Sequence, residues 1–171
     1  MQIFWKGQAC FQIIVNLGKG DQAKIVIDPF FDAIGLKSPR LEADILLITH
    51  GHYNRNNKKS VLGNPFLIEG PGEYEVKGVY IEGIHSGHDL KKSGGRGETT
   101  IYTIEAEEIK LCHLGDLSQR ELTEEQLDKI GDIDILMIPI GGTFTISAKE
   151  AIKIMSQIEP KITIPMHYRI P

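Results

Sequence analysis

The chain is poor in several things, and each scarcity narrows what it can be. Only two cysteines, Cys10 and Cys112, occur in 171 residues, so no disulfide framework is expected, and a core of this size does not require one. Long apolar runs are missing as well. The longest, Ile45 to Ile48 and Ile135 to Ile140, fall far short of the roughly 20 residues that span a bilayer. The first residues, Met1-Gln-Ile-Phe-Trp-Lys6, lack the basic start and apolar stretch of a secretory signal, which makes cytoplasmic residence the default expectation. Positive charge is not in excess either. With 19 basic against 23 acidic side chains, the net charge of −4 argues against broad binding to nucleic-acid phosphates. Two small basic clusters, Lys58-Lys59 and Lys91-Lys92 with Arg96, read first as solvated surface and second as places that steer a small anion.

What is present is an ordinary globular composition, 41% hydrophobic and 25% charged, with no repeat and no low-complexity tract, so a single domain over residues 1–171 is expected. The first hundred residues read as strands joined by glycine turns. Gln2 to Trp5, Cys10 to Leu17 and Lys24 to Asp28 form an antiparallel meander, and Asp44 to Thr49 has the continuous apolar character of a strand buried on both faces. Glu73 to Ile84 alternates, and Thr99 to Ile104 with Ile109 to His113 reads as a hairpin about Glu107 and Glu108. Thr123-Glu-Glu-Gln126 and Ser147-Ala-Lys-Glu150 have capping-box spacing and open two helices, one closed by Gly131 and the other by Pro160. The second helix lies between the apolar strands Asp134 to Ile138 and Lys161 to Ile164, a strand, helix, strand crossover. Lys91 to Gly97, with three glycines, reads as a loop inside the domain.

Four histidines and one aspartate share a placement: each follows an expected strand. His50 and His52 come after Thr49, His88 after Ile84, Asp116 after His113 and His167 after Pro165. In layered α/β folds such strand ends gather on one rim and form the site. Imidazole nitrogen and carboxylate oxygen are donors suited to zinc.

The motifs then become specific. Thr49-His-Gly-His-Tyr-Asn-Arg55 resembles the Thr-His-x-His-x-Asp-His signature of metallo-β-lactamase-fold hydrolases, and His113-Leu-Gly-Asp116 resembles their later Gly-Asp motif. The order agrees through His88-Asp89 and Ile164-Pro-Met-His-Tyr168. Gly7-Gln-Ala-Cys-Phe11, Asp28-Pro-Phe30 and Gly141-Gly142 are similar to the branch of small, lactonase-like zinc-dependent hydrolases. The resemblance covers almost the whole chain. It implies an α/β fold, a compact version of the four-layer αβ/βα metallo-β-lactamase sandwich. It makes His50, His52 and His88 ligands of a first metal, Asp116 the bridging carboxylate, and His167 a ligand of a second metal.

Two positions depart from the signature. Asn54 stands where the family has Asp and Arg55 where it has His, so the second site loses an anionic ligand and an imidazole. One zinc ion is therefore expected rather than two. Arg55, permanently charged, is suited to pairing with Asp116 or to holding an anionic substrate group. Asn54 can orient water but cannot accept its proton, which leaves Asp116, Asp89 or His167 for that task. The expected activity is hydrolysis of a small ester, lactone or phosphorylated metabolite, with Asp116, Asn54 and Arg55 at the reacting centre. The alternative is a protein of the same fold that has lost turnover and serves as a metal- or ligand-binding module. A nuclease is disfavoured by the charge.

The remaining candidates have plainer readings. His113 sits within a strand and is expected to be a buried, hydrogen-bonded histidine. His85 competes with His88 for the third ligand position, and the following Asp89 and glycine-rich loop favour His88. Cys112 reads as core, Asp44 and Asp134 as turn or cap residues. Gly141-Gly142-Thr143 suits either backbone approach to a ligand or a tight loop. Tyr168 either donates to a developing oxyanion or packs. Because the chain stops four residues after His167, a sheet or helix face covered by a second subunit, and thus a homo-oligomer, is also expected.

Overall fold

A computed structural model describes residues 1–32, 35–51, 56–87 and 98–168. Along the chain run β1 (Gln2–Gly7), β2 (Cys10–Gly18), β3 (Asp21–Ile27), β4 (Leu41–Glu42), β5 (Ile45–Leu47), β6 (Val61–Leu62), β7 (Phe66–Ile68), β8 (Gly72–Val76), β9 (Val79–Ser86), β10 (Thr99–Ala106) and β11 (Ile109–His113). They are followed by α1 (Glu124–Ile130), β12 (Ile135–Pro139), α2 (Ala148–Ile158) and β13 (Ile162–Met166). Two sheets result, one ordered β1-β2-β3-β5-β7 and the other β13-β12-β11-β10-β9-β8, with β4 and β6 as a separate parallel pair.

The period-two pattern decides which face of each strand enters the core. In β2, Phe11, Ile13 and Val15 point between the sheets, and β3 sends Ile25 and Ile27 the same way, while Val26 faces outward and is equally buried. Tyr102, Ile104 and Leu111 meet them from the second sheet. The outer face of that sheet, carrying Cys112, Leu136 and Ile138, is covered by Ile130 of α1 and Ile154 of α2. Beyond the first sheet, Val26, Leu46 and Ile48 pack under Phe30, Leu41 and Val61. The chain is thus a compact α/β sandwich, and among the described residues its fourth layer is built from the β4–β6 pair and its flanks instead of an α-helix.

Both helices open with the expected device. Thr123 accepts from the Gln126 amide and Ser147 from the Glu150 amide, with the reciprocal side-chain bonds present in each box. The stretch Glu73 to Ile84 is two strands, not one. Lys77 and Gly78, at φ of 51° and 71°, make a two-residue hairpin turn whose left-handed dihedrals suit the strand twist. No helix among the described residues is long and apolar enough to cross a membrane.

The sheets contain the same four-strand unit twice. In β2-β3-β5-β7 the pairings run antiparallel, parallel, parallel, and β10-β11-β12-β13 repeats the series. The strand entries match as well. Asp44 donates its amide to Lys24 O at 2.8 Å and accepts the Lys24 amide on Oδ2 at 2.8 Å; Asp134 does the same with Lys110, at 2.9 and 2.8 Å. These aspartates are turn residues, as their positions before strands suggest. Each carboxylate also pairs with a lysine, Lys77 and Lys161 respectively, which together with the amide bonds holds both carboxyls below the usual range despite some burial.

Cross-sheet hydrogen bonds then fix the rim where β5 ends. The Tyr102 hydroxyl donates to Ile48 O at 3.0 Å and Ile68 O at 3.3 Å, and the Thr100 amide donates to Thr49 O at 2.7 Å. Burial and the charge of Asp28 push the Tyr102 phenol up, so it stays a donor throughout the physiological range. Thr49 is thereby held between the two sheets, and the next residue, His50, is placed at their common edge.

Candidate metal centre

His50, Asp116 and His167 reach one point from three strand ends, β5, β11 and β13. Asp116 lies between the two imidazoles. Its Oδ2 is 3.4 Å from His50 Nε2 and its Oδ1 is 3.4 Å from His167 Nε2, with all three side chains 8–9% exposed. Taking a carboxylate and two imidazoles this far out of water is costly unless each is compensated.

The proton on His50 is set from behind. The Thr49 amide donates to Asp28 Oδ1 at 2.8 Å, and the Thr49 hydroxyl donates to Asp28 Oδ2 at 2.6 Å. With its one proton committed to the carboxylate, the hydroxyl oxygen faces His50 Nδ1 at 3.1 Å as an acceptor. In the neutral tautomer that this contact selects, Nδ1 carries the hydrogen and Nε2 offers its lone pair on the side of Asp116. That tautomer leaves Nε2 able to share a cation with Asp116, and a nitrogen–oxygen donor set of this kind fits a divalent metal ion. Asp28 holds φ at 45°, a left-handed conformation that Asp tolerates better than most residues.

Asp116 is aimed by a tight loop. Leu114 donates to Met137 O at 3.0 Å and Leu117 to Leu114 O at 3.2 Å. Gly115, at φ 56°, sits so close to Thr49 that a Cβ there would lie 2.7 Å from Thr49 Cβ and 2.8 Å from its Oγ1. The Gly115 amide donates to His113 Nδ1 at 3.1 Å, and the opposite ring nitrogen bonds Ala9 O at 2.9 Å. His113 is thus the buried, hydrogen-bonded residue expected, and what it supports is the loop that carries Asp116. His167 is anchored likewise: its amide donates to Gln8 O at 3.1 Å, and a Cβ at Gly141 would fall 2.4 Å from His167 O. Gly141 hence serves a close backbone approach, and Gly142 a left-handed turn at φ 77°. Tyr168 packs on Trp5, ring centroids 5.3 Å apart.

His52, Asn54, Arg55 and His88 lie outside the described residues, as does the glycine-rich loop from Lys91. Among the described residues, no group of three or more His, Cys, Asp or Glu side chains makes a complete metal cluster by itself. His85 is away from the centre, half exposed and 3.6 Å from Glu98. Both cysteines are free and buried; burial raises each thiol, Cys112 to about 12, which leaves them unreactive. The Asp28–Thr49 pair was not anticipated as part of the site. Its members are 21 positions apart, and Asp28 stood out only within Asp28-Pro-Phe30.

Burial pushes His113 down to about 4 from an ordinary 6.5, partly opposed by its bond to Ala9 O. The unfolded chain therefore binds more protons at this residue than the folded chain between pH 6.5 and 4. Stability from this group is complete above about pH 6.5 and falls by about 3 kcal/mol as pH drops toward 4. In metal-chelated protein, urea midpoints measured from pH 7 to 4 should fall less steeply in His113→Gln than in the wild type. Parallel curves would remove His113 as a source of acid sensitivity.

The model of the β-lactamase superfamily domain matches residues 2–167. A "UPF0173 metal-dependent hydrolase" of Thermococcus onnurineus is 32% identical over 198 residues, covering 98% of this chain and 84% of that protein. A similar protein of Pyrococcus abyssi is 31% identical over 190 residues, covering 98% and 83% of the two chains. Among solved structures, a proposed Zn-dependent hydrolase of the metallo-β-lactamase superfamily from Thermotoga maritima aligns with a TM-score of 0.81 at 39% identity, over 98% of this chain and 76% of that one. With the match spanning nearly every described strand of the two-sheet sandwich, the chain belongs to the metallo-β-lactamase superfamily.

Proposed function

We propose that this protein is a metal-dependent hydrolase using one zinc ion, held by His50, His52, His88 and Asp116, against a small ester, lactone or phosphorylated metabolite. The observation that carries this reading is the pairing of a His50 Nε2 lone pair with Asp116 at a rim also reached by His167. When bound, zinc supplies Lewis-acid activation of water near neutral pH. The chain's own contribution is orientation: Asp28 and Thr49 fix the His50 tautomer, and His113 with Gly115 fixes the Asp116 loop. Asp116 is the proton acceptor in this reading, Asn54 orients the attacking water, and Arg55 holds an anionic group. His167 marks the position of a second site that Asn54 and Arg55 leave incomplete.

The same two residues favour a second reading, a module that keeps the fold and an ion but has lost turnover. Metal analysis and an ester or lactone assay on the purified protein separate the two. About one equivalent of zinc with hydrolysis abolished in His52→Ala supports the enzyme; one equivalent without turnover supports the module; no metal under zinc-replete conditions sinks both. Asn54→Asp combined with Arg55→His should raise occupancy toward two, and occupancy fixed at one contradicts the account of the second site.

A further inference from the structure

We propose that the groove between residues 31–32 and 37–40 on one side and residues 57–60 on the other binds the phosphate group of a small phosphorylated ligand, beside the metal centre. The groove encloses about 930 Å³ and is lined by three exposed cations, Lys37, Arg40 and Lys59, with the Phe31 ring on its wall. None of the three cations has an ion-pair partner among the described residues, whereas the neighbouring Lys58 is spent on Glu69 and Lys24 on Glu42. Unpaired cations converging on one depression are unusual in a chain whose net charge is −4. An arginine fork with two ammonium groups suits a phosphate, since the fork can bind two oxygens at once and the lysines act as point charges.

The groove is braced before any ligand arrives. Asn57 donates from Nδ2 to Phe30 O at 3.3 Å and Ser38 Oγ at 3.2 Å, tying its two walls together, and Ser60 bonds back to Asn57 O through both its amide and its hydroxyl. Asp32, the one carboxylate among the described lining residues, accepts the Ser38 amide at 2.6 Å and so is engaged with the wall. Such bracing lowers the ordering cost of binding. The groove also leads somewhere. Phe31, Asn57 and Lys59 line a second pocket of about 400 Å³ that extends to Gly51, the residue after His50. The Asn56 side-chain oxygen is buried with no hydrogen-bond partner among the described residues and lies along this second pocket, an acceptor for a ligand hydroxyl or amine. A ligand with its phosphate in the groove would direct its remaining portion toward the metal centre. This narrows the substrate class of the proposed hydrolase and rests on that reading for the reaction, though not for the binding.

The test is calorimetric titration of the chelator-treated protein with phenyl phosphate, so that no metal contributes an anion site. Saturable binding is expected, weakened at least about 10-fold by the triple variant Lys37→Gln, Arg40→Gln, Lys59→Gln and by a rise in salt, since these charges are exposed and screened. Phenol should not bind, and Lys153→Gln, an exposed lysine on α2 away from both pockets, should bind as the wild type does. Absence of saturable binding, equal affinity in the triple variant, or an equal loss in Lys153→Gln each overturns the proposal. Hydrolysis of phenyl acetate by the zinc-loaded protein reads the other question separately: turnover without phenyl phosphate binding defeats only the groove, and binding without turnover defeats only the hydrolase.

Discussion

Asp116→Ala should release the metal and end metal-dependent turnover. Among the described residues, Asp116 is the one carboxylate that faces both His50 and His167, at 3.4 Å from each. Removing it leaves two buried imidazoles with nothing anionic between them, so the site loses both a ligand and its charge compensation. The expected loss of zinc affinity exceeds the ~10- to 100-fold typical of residues that merely support a ligand. Zinc content after dialysis and competition with a chromogenic chelator measure it. Retention of full metal content would show that the ion sits elsewhere.

Gly115→Ala is expected to be strongly destabilising and to disturb the loop that carries Asp116. The new Cβ would meet Thr49 Cβ at 2.7 Å, Oγ1 at 2.8 Å and Cγ2 at 3.0 Å. Thr49 has little freedom to yield, since its hydroxyl and amide are tied to Asp28 and its carbonyl accepts from Thr100. The left-handed φ of 56° adds its own penalty for any residue with a Cβ. Overpacking of about 1–3 kcal/mol and a φ penalty of about 1–2 kcal/mol sum to about 2–5 kcal/mol. For a domain of this size that is a fall in melting temperature of roughly 5–15 °C. A double-mutant cycle with Thr49→Gly should recover the contact part and leave the φ part. A change below about 0.5 kcal/mol would mean that the loop relaxes freely and does not aim Asp116.

The expected strands were largely legible because alternation is a local signal and the two-sided burial of Ile45 to Ile48 leaves an unbroken apolar run. Both capping boxes were legible for the same reason, each spanning four residues. The pairs β4–β6 and the strand β7 were not, as two or three residues are too few to display a period. The Lys77–Gly78 turn was masked by alternation that continues on either side of it. At the site, strand-end placement and the family signature pointed to His50, Asp116 and His167, and the structure brings these three side chains together. Asp28 escaped notice as their support because its bond to Thr49 spans 21 positions and only the paired sheets bring the two together. The groove escaped for a different reason: Lys37 and Arg40 are separated from Lys59 by about twenty residues, and neither stretch alone differs from solvated surface.

The duplicated four-strand unit bears on how the nascent chain behaves. The first copy ends at Ile68 and carries His50; Asp116 and His167 arrive only with the second copy, which ends at Met166. A ribosome-bound chain that has completed its first copy therefore holds no finished centre, and an ion met at that stage finds a partial set of donors with no carboxylate from Asp116. Tight capture must await closure of the later copy on the earlier one. Metal retention would then report complete synthesis, since truncated or half-folded chains lack Asp116 and His167 beside His50.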